Sequence, residues 1–280
     1  MNNRELEIKA YNIRKNAVTA VYSASSGHPG GSLSSADLMA VLYFDEMNVD
    51  PKNPKMEERD RFVLSKGHCS PALYGTLAEA GFFDKEELKT FRHIDSRLQG
   101  HPDMKHIPGV DMSTGSLGLG ISAACGMALS AKAYKKDYRV YALLGDGEIE
   151  EGQVWEAAMY APHYRLDNLC IFVDLNGLQI DGSTAEVMNS SPLDKKFEAF
   201  GWNTITIDGH NYDEIKKALK IARETKGKPT AVIMKTVKGK GVSYMENSVK
   251  WHGVAPNEEE YEKAISELDA HIEALMKEEA

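Results

Sequence analysis

The sequence predicts an α/β fold in which helices flank a mainly parallel β-sheet. From residue 119 onward, short apolar runs alternate with amphipathic stretches of helical period, which is the pattern of βαβ units. One apolar run, YRVYALL, passes into Gly145-Asp146-Gly147, and the next, NLCIFVDL, reaches Asn176 thirty positions after Asp146. That interval is about the ~30 residues of one βαβ unit. Composition agrees: 280 residues, 42% hydrophobic and 27% charged, is ordinary for a soluble globular chain.

The elements follow in order. Residues 4–25 read as a helix, with Leu6, Ala10, Ile13 and Ala17 at spacings of three and four. SGHPGG is a Gly/Pro loop leading to a second helix, for which Ser34 or Ser35 is the expected N-cap. RFVLSKGH reads as a short strand entering a loop, and PALYGTLAEAG as a helix closed by Gly81. FFDKEELKTF starts a further helix with Asp84 as its cap. Residues 93–118 are rich in Gly, His and Pro and show no periodicity, as expected of a functional insert. Then come helix GLGISAACGMALSAKAYK, strand YRVYALL, helix EGQVWEAAMYAPHYRL and strand NLCIFVDL. Strand WNTITI, helix NYDEIKKALKIARET, strand TAVIMKTV and a charged amphipathic helix in the tail complete the chain. No linker, repeat or low-complexity block divides it, so residues 1–280 read as a single domain.

A net charge of −9 argues against a nucleic-acid binder, which needs a basic footprint. The N-terminus has no apolar h-region, and no apolar run approaches the ~20 residues that span a bilayer. Cys69, Cys125 and Cys170 are odd in number and widely separated, which suits a reducing cytoplasm better than a disulfide framework or zinc site.

The stretch GDGEIEEG crowds four carboxylates at the end of a buried strand. In open parallel sheets ligands bind beyond the carboxyl ends of the strands, where the spacing places Asp146 beside Asn176. A carboxylate and an amide oxygen are hard ligands suited to Mg²⁺ or Ca²⁺. Each unit of phosphate charge ~4 Å from Asp146 would cost ~4 kcal/mol at an effective dielectric of 20, and an intervening divalent cation reverses the sign. The flanking glycines admit a bulky anion, and Glu150 and Glu151 suit a helix N-terminus. Glu148 has no evident role.

His28, His68 and His101 each follow a glycine in a loop, and His252 precedes one. An unperturbed pKa of about 6.5 suits imidazoles to proton transfer near neutrality. His93, His106, His163 and His271 lack that context and read as structural; His210, in IDGHNYDE, sits just before a helix cap and also reads as structural.

Gly145-Asp146-Gly147 followed by Asn176 resembles the thiamine diphosphate motif, in the form found in transketolases. SGHPGG at 26–31, RFVLSKGH at 61–68, GHPD at 100–103, STGSLGLGIS at 113–122 and WHG at 251–253 occur in that family's order. The resemblance implies the three-layer thiamine diphosphate-binding fold and the family's diphosphate-binding domain. By resemblance, Asp146, Asn176 and the Leu178 carbonyl would hold a metal, Mg²⁺ or Ca²⁺, that bridges the cofactor diphosphate. Gly147, His68 and His252 would approach the diphosphate, with Gly115, Ser116 and Leu117 along the cofactor. Ser116 stands where the family often has proline. His28, His101 and His252 would face a sugar phosphate substrate, and Glu151 matches a position at the subunit interface.

Transketolases of this kind continue into a pyrimidine-binding domain, which carries the glutamate that activates the cofactor, and a C-terminal domain. The resemblance therefore implies one subunit of a split enzyme. It would transfer a two-carbon ketol unit from a ketose phosphate to an aldose phosphate, in the pentose phosphate pathway or on a branched or sulfonated sugar. The expected partner is a separate C-terminal transketolase subunit, two copies of each chain forming a heterotetramer. Three other readings compete: the alpha subunit of a 2-oxo acid dehydrogenase, a nicotinamide dehydrogenase suggested by GLGISA, and a non-enzymatic homologue. KGKG at 238–241 reads as a surface turn, and the tryptophans and helix methionines as core.

Overall fold

The computed structural model describes residues 1–277; the last three residues of the expected C-terminal helix lie outside them. The chain begins with α1 (Asn3–Ser23), α2 (Pro29–Leu33) and α3 (Ala36–Val41), followed by a π-helical turn at Leu42–Glu46. After β1 (Arg61–Leu64) come α4 (Ser70–Ala80) and α5 (Leu119–Ala133), separated by a largely irregular segment. Next are β2 (Val140–Gly145), α6 (Gly152–His163), β3 (Leu169–Leu175) and a small hairpin of β4 (Leu178–Gln179) and β5 (Gly182–Ser183). α7 (Thr184–Val187), α8 (Leu193–Ala199), β6 (Asn203–Asp208), α9 (Tyr212–Glu224), β7 (Thr230–Lys235) and α10 (Glu258–Lys277) follow.

Five strands form one parallel sheet in the order β1-β2-β3-β7-β6. Because strand side chains alternate, each strand serves both faces. Phe62, Leu64, Tyr141, Leu143, Cys170, Phe172, Val232 and Met234 pack against α1, α3, α4 and α9. Val63, Ala142, Leu144, Ile171, Val173 and Ile233 face α5, α6 and α8. The result is three layers, helix–sheet–helix, with an apolar core on each side. A third cluster joins α10 to α1 through Tyr11, Val18, Ala264 and Leu268, with Val242 and Trp251 from the preceding loop.

Local chemistry explains most boundaries. Asn2 and Glu5 form a reciprocal capping box at the start of α1. Gly81 closes α4 with φ 89°, a conformation only glycine adopts without strain. Asn211 caps α9 by accepting from the amides of Asp213 and Glu214. At Gly120 in α5, a Cβ would lie 2.6 Å from the Cα of Ser65, so a side chain there would force the helix off the end of β1.

Two expectations need correction. Ser35 stands at the N-cap position of α3, but neither it nor Ser34 makes a side-chain capping bond: the Ser35 hydroxyl donates to Gly31 O within a continuing helical path, and Ser34 donates to Asp174. The segment capped by Asp84 is a 3-10 turn, Lys85–Thr90, rather than an α-helix. No strand runs directly into GLGISA; α5 follows the irregular insert, with Gly118 at φ 82°, so the dinucleotide-binding context is absent. Among the described residues no helix is long and apolar enough to cross a membrane.

Candidate functional site

The parallel register brings the carboxyl ends of β1, β2, β3 and β7 to one edge, with Gly145 level with Asp174 and Leu175 level with Lys235. Residues just past those ends line a cavity of about 400 Å³. β1 delivers Lys66 and His68, β2 Asp146 and Gly147, β3 Asn176 and Leu178, and β7 Lys238. The loop before α2 adds His28, the insert adds His101, Gly115 and Leu117, and the turn at Val249–His252 adds His252. Of the site residues singled out in the sequence, Ser116 alone is absent from the lining; it is exposed.

Asp146 is buried, its Oδ1 accepting from the Gly147 amide at 2.9 Å and Oδ2 from the Gly177 amide at 2.6 Å. Among the described residues it has no cationic partner at ion-pair distance. Burial and the nearby Asp174 charge push its pKa up to about 6. Asn176 Oδ1 accepts from the Leu178 amide at 3.1 Å, while its Nδ2 donates to Asp174 Oδ2 at 3.3 Å. Asp174 is fully buried and also accepts from Lys66, Ser34 and Thr236. Burial works against its charge, but Lys66 and these donors hold its carboxyl below the usual range. Asp174 thus anchors Asn176 beside Asp146.

Two residues were underestimated from sequence. Lys238 does not occupy a surface turn: its side chain is buried, and Nζ donates to Leu178 O at 2.9 Å and contacts His252 Nδ1 at 2.9 Å. Among the described residues no carboxylate pairs with it, and burial lowers its pKa. Glu148 is a buried hub. It accepts from the Ser65 hydroxyl, the Gly118 amide at 3.0 Å and the Gly145 amide at 3.0 Å, tying three loops of the site together. The available signal was position: both follow an apolar strand by three residues, within the one to four at which Asp146, Gly147, Asn176, Leu178 and His68 follow theirs.

The histidines cluster. The rings of His28, His68 and His252 lie with centroids 5.1 to 5.6 Å apart. Burial, then the charges of neighbouring groups, lowers His28 and His68 to about 4 and His252 to about 3. Near neutral pH they are neutral imidazoles. With Lys238 donating to its Nδ1, His252 keeps its proton on Nε2. His101 lies beside Gly115, where a Cβ would come 3.2 Å from its ring. The single hydroxyl proton of Tyr74 is shared between the carbonyls of Gln99 at 2.8 Å and His101 at 3.0 Å, which ties that loop down. His210 lies outside this cavity, bonded to Asp37 and the Val237 amide. Of the tryptophans, Trp202 and Trp251 are buried and Trp155 is partly so.

The fold and site define an α/β protein with a pocket of buried polar groups at the carboxyl edge of a parallel sheet. The chain belongs to the transketolase family of thiamine diphosphate-binding domains: residues 6–274 match the family described as "Transketolase, thiamine diphosphate binding domain". It is 46% identical over 265 residues to the 6-deoxy-6-sulfo-D-fructose transketolase subunit SqwG of Clostridium sp. (strain MSTE9), covering 95% of this chain and 96% of that protein. It is 45% identical over 273 residues to an apulose-4-phosphate transketolase subunit of Phocaeicola vulgatus, covering 98% of this chain and 97% of that protein. The transketolase structure from Campylobacter jejuni superposes with a TM-score of 0.90 at 37% identity, covering 96% of this chain but 43% of that one. The chain therefore spans the length of the subunit-type relatives and under half of that transketolase chain. The matched family and these relatives are transketolases rather than 2-oxo acid or nicotinamide dehydrogenases.

Proposed function

We propose that the chain is the diphosphate-binding subunit of a thiamine diphosphate-dependent transketolase and acts with a separate subunit carrying the pyrimidine-binding domain. The observation that carries this is one cavity holding a buried ammonium, Lys238, and a buried carboxylate, Asp146, which feel each other's charge but, among the described residues, have no oppositely charged partner at ion-pair distance. A diphosphate with a divalent cation complements both at once.

Asp146, Asn176 Oδ1 and the Leu178 carbonyl are the metal-facing oxygens. Among the described residues no three His, Cys, Asp or Glu side chains form a metal site of their own. A metal here would therefore draw further ligands from phosphate oxygens and water, as Mg²⁺ does; Ca²⁺ accepts the same oxygens. The Leu178 carbonyl now accepts from Lys238, so a metal would displace that hydrogen bond. Lys238, His68 and the Gly147 amide face the diphosphate, with Gly115 and Leu117 along the cofactor and Ser116 at its outer edge.

Bound thiamine diphosphate supplies the electron sink for breaking and remaking the carbon–carbon bond of the sugar. His28, His101 and His252 present neutral imidazoles that hydrogen-bond sugar hydroxyls and carry their protons. The partner supplies the rest of the sugar phosphate site, and two copies of each chain form the assembly, with Glu151 at the interface. The names of the subunit-type relatives favour a specialised ketose, branched or sulfonated, over a general pentose phosphate role.

The test is a ketol-transfer assay on the chain alone and with its partner, with thiamine diphosphate and Mg²⁺, then with EDTA. Activity only in the complex and lost on chelation is expected. Full activity of the chain alone, or no cofactor binding by the complex, would overturn the reading.

A further inference from the structure

The loop that delivers Lys238 is held from outside the cavity by a buried polar network that the proposed chemistry does not use. Asp37 on α3 is buried and accepts from Arg14, from the Tyr212 hydroxyl at 2.6 Å and from His210 Nδ1 at 2.6 Å. Burial opposes its charge, but Arg14 and His210 hold its carboxyl well below the ordinary range. The other ring nitrogen of His210, Nε2, accepts from the Val237 amide at 2.9 Å. An amide can only donate, so Nε2 carries no proton and Nδ1 bears it toward Asp37.

Val237 immediately precedes Lys238, in a loop also tied by the Thr236 amide to Leu175 O at 3.2 Å, by the Lys240 amide to Val237 O at 3.1 Å and by the Gly241 amide to Glu246 at 3.0 Å. Thr236 donates its hydroxyl to Asp174, the Gly239 amide donates to Gly30 O at 3.0 Å, and the Lys238 carbonyl accepts from the Asn247 amide at 2.9 Å. Gly239 has φ 81°, and a Cβ there would lie 2.2 Å from Met245 O, so the loop turns sharply just past the lysine. A buried ammonium is useful to an anion only at a fixed place, and the tether nearest to it on the strand side is His210.

We propose that His210, oriented by Asp37, is a positioning residue that holds the Val237 amide and so sets where Lys238 stands in the cavity. This rests on the reading of Lys238 as a diphosphate ligand. It gives a specific target to the structural role that the sequence suggested for His210.

The experiment uses the full chain and four single variants: His210→Ala, His210→Gln, which keeps an acceptor near Val237, Tyr212→Phe and Lys238→Ala. Amide hydrogen exchange over residues 236–241 is measured without ligand. Thiamine diphosphate affinity with Mg²⁺ is read from tryptophan fluorescence. Exchange of the loop should rise at least tenfold in His210→Ala, less in His210→Gln, and stay near wild type in Tyr212→Phe, which loosens the same network without touching the loop. Affinity should fall about tenfold in His210→Ala, and the double variant His210→Ala/Lys238→Ala should bind no worse than Lys238→Ala alone. Unchanged loop exchange, an equal rise in Tyr212→Phe, or additive losses in the double variant would overturn the proposal. If His210→Ala does not fold, the comparison of His210→Gln with Tyr212→Phe decides in the same sense. Absence of cofactor binding by the wild-type chain in complex would count against the proposed function, while the exchange comparison would still decide the role of His210.

Discussion

The Lys238 ammonium lies 2.9 Å from the Leu178 carbonyl oxygen, so a cation of the chain itself rests on an oxygen proposed to face a divalent metal. Removing it should therefore act on the anion. Lys238→Ala should weaken thiamine diphosphate binding by about ten- to a hundredfold at saturating Mg²⁺. A hydrogen bond to a charged group contributes about 1.5–3 kcal/mol, and each ~1.4 kcal/mol is tenfold in affinity. A fluorescence titration measures this; an unchanged dissociation constant would remove Lys238 from the site.

Asp146→Asn separates fold from metal binding. The substitution relieves a buried charge but turns an amide group toward one of the two backbone donors, from Gly147 or Gly177. These terms oppose, so ligand-free stability should change by less than about 2 kcal/mol. Wild type with ligand at a hundred times its dissociation constant should gain about 2.7 kcal/mol. The variant should gain nothing from Mg²⁺ with thiamine diphosphate, as thermal melts with and without EDTA will show.

The imidazole cluster predicts an acid-sensitive step. Burial, with Lys66 nearby, brings His68 to about 4 from an ordinary 6.5. Between those values the unfolded chain binds the proton and the folded chain does not. The stability tied to a neutral His68 is thus complete above about pH 6.5 and is lost as pH falls toward 4, at no more than about 1.4 kcal/mol per pH unit. Wild type should lose more melting temperature than His68→Asn between pH 7.5 and 5. Parallel slopes would show that this imidazole is not held neutral.

Glu148→Ala should be among the more destabilising single changes in the site. It leaves the buried amides of Gly118 and Gly145 without their acceptor, at about 1–3 kcal/mol each. Urea unfolding should show a loss of about 2–5 kcal/mol, with Glu148→Gln losing less. A loss below 1 kcal/mol would mean that the three loops do not depend on this carboxylate.

The strands and long helices were legible because their signals are local. A run such as LCIFVDL is apolar over its whole length, and α1 and α9 carry both period and cap in a few adjacent residues. Asp146 and Asn176 were legible because one βαβ unit converts sequence distance into adjacency. The short helices α7 and α8 and the β4–β5 hairpin were missed, since four to seven residues hold too little period to register. Ser35 does occupy the N-cap position of α3, but the folded chain directs its hydroxyl to Gly31 and that of Ser34 to Asp174, so the expected capping bond is not made.

What the sequence by itself determined is the alternating α/β order, the carboxyl-edge turn at Asp146 and the glycine-flanked histidines, all of them patterns within about thirty residues. The tertiary structure alone decided that Lys238 is buried, that Glu148 joins three loops and that His210 reaches from Asp37 to Val237. The physical reason is range. Burial and hydrogen-bond partnership depend on what distant segments place around a side chain. A lysine in a Gly-Lys turn is a solvated surface charge until Gly30, Leu178 and His252 close over it.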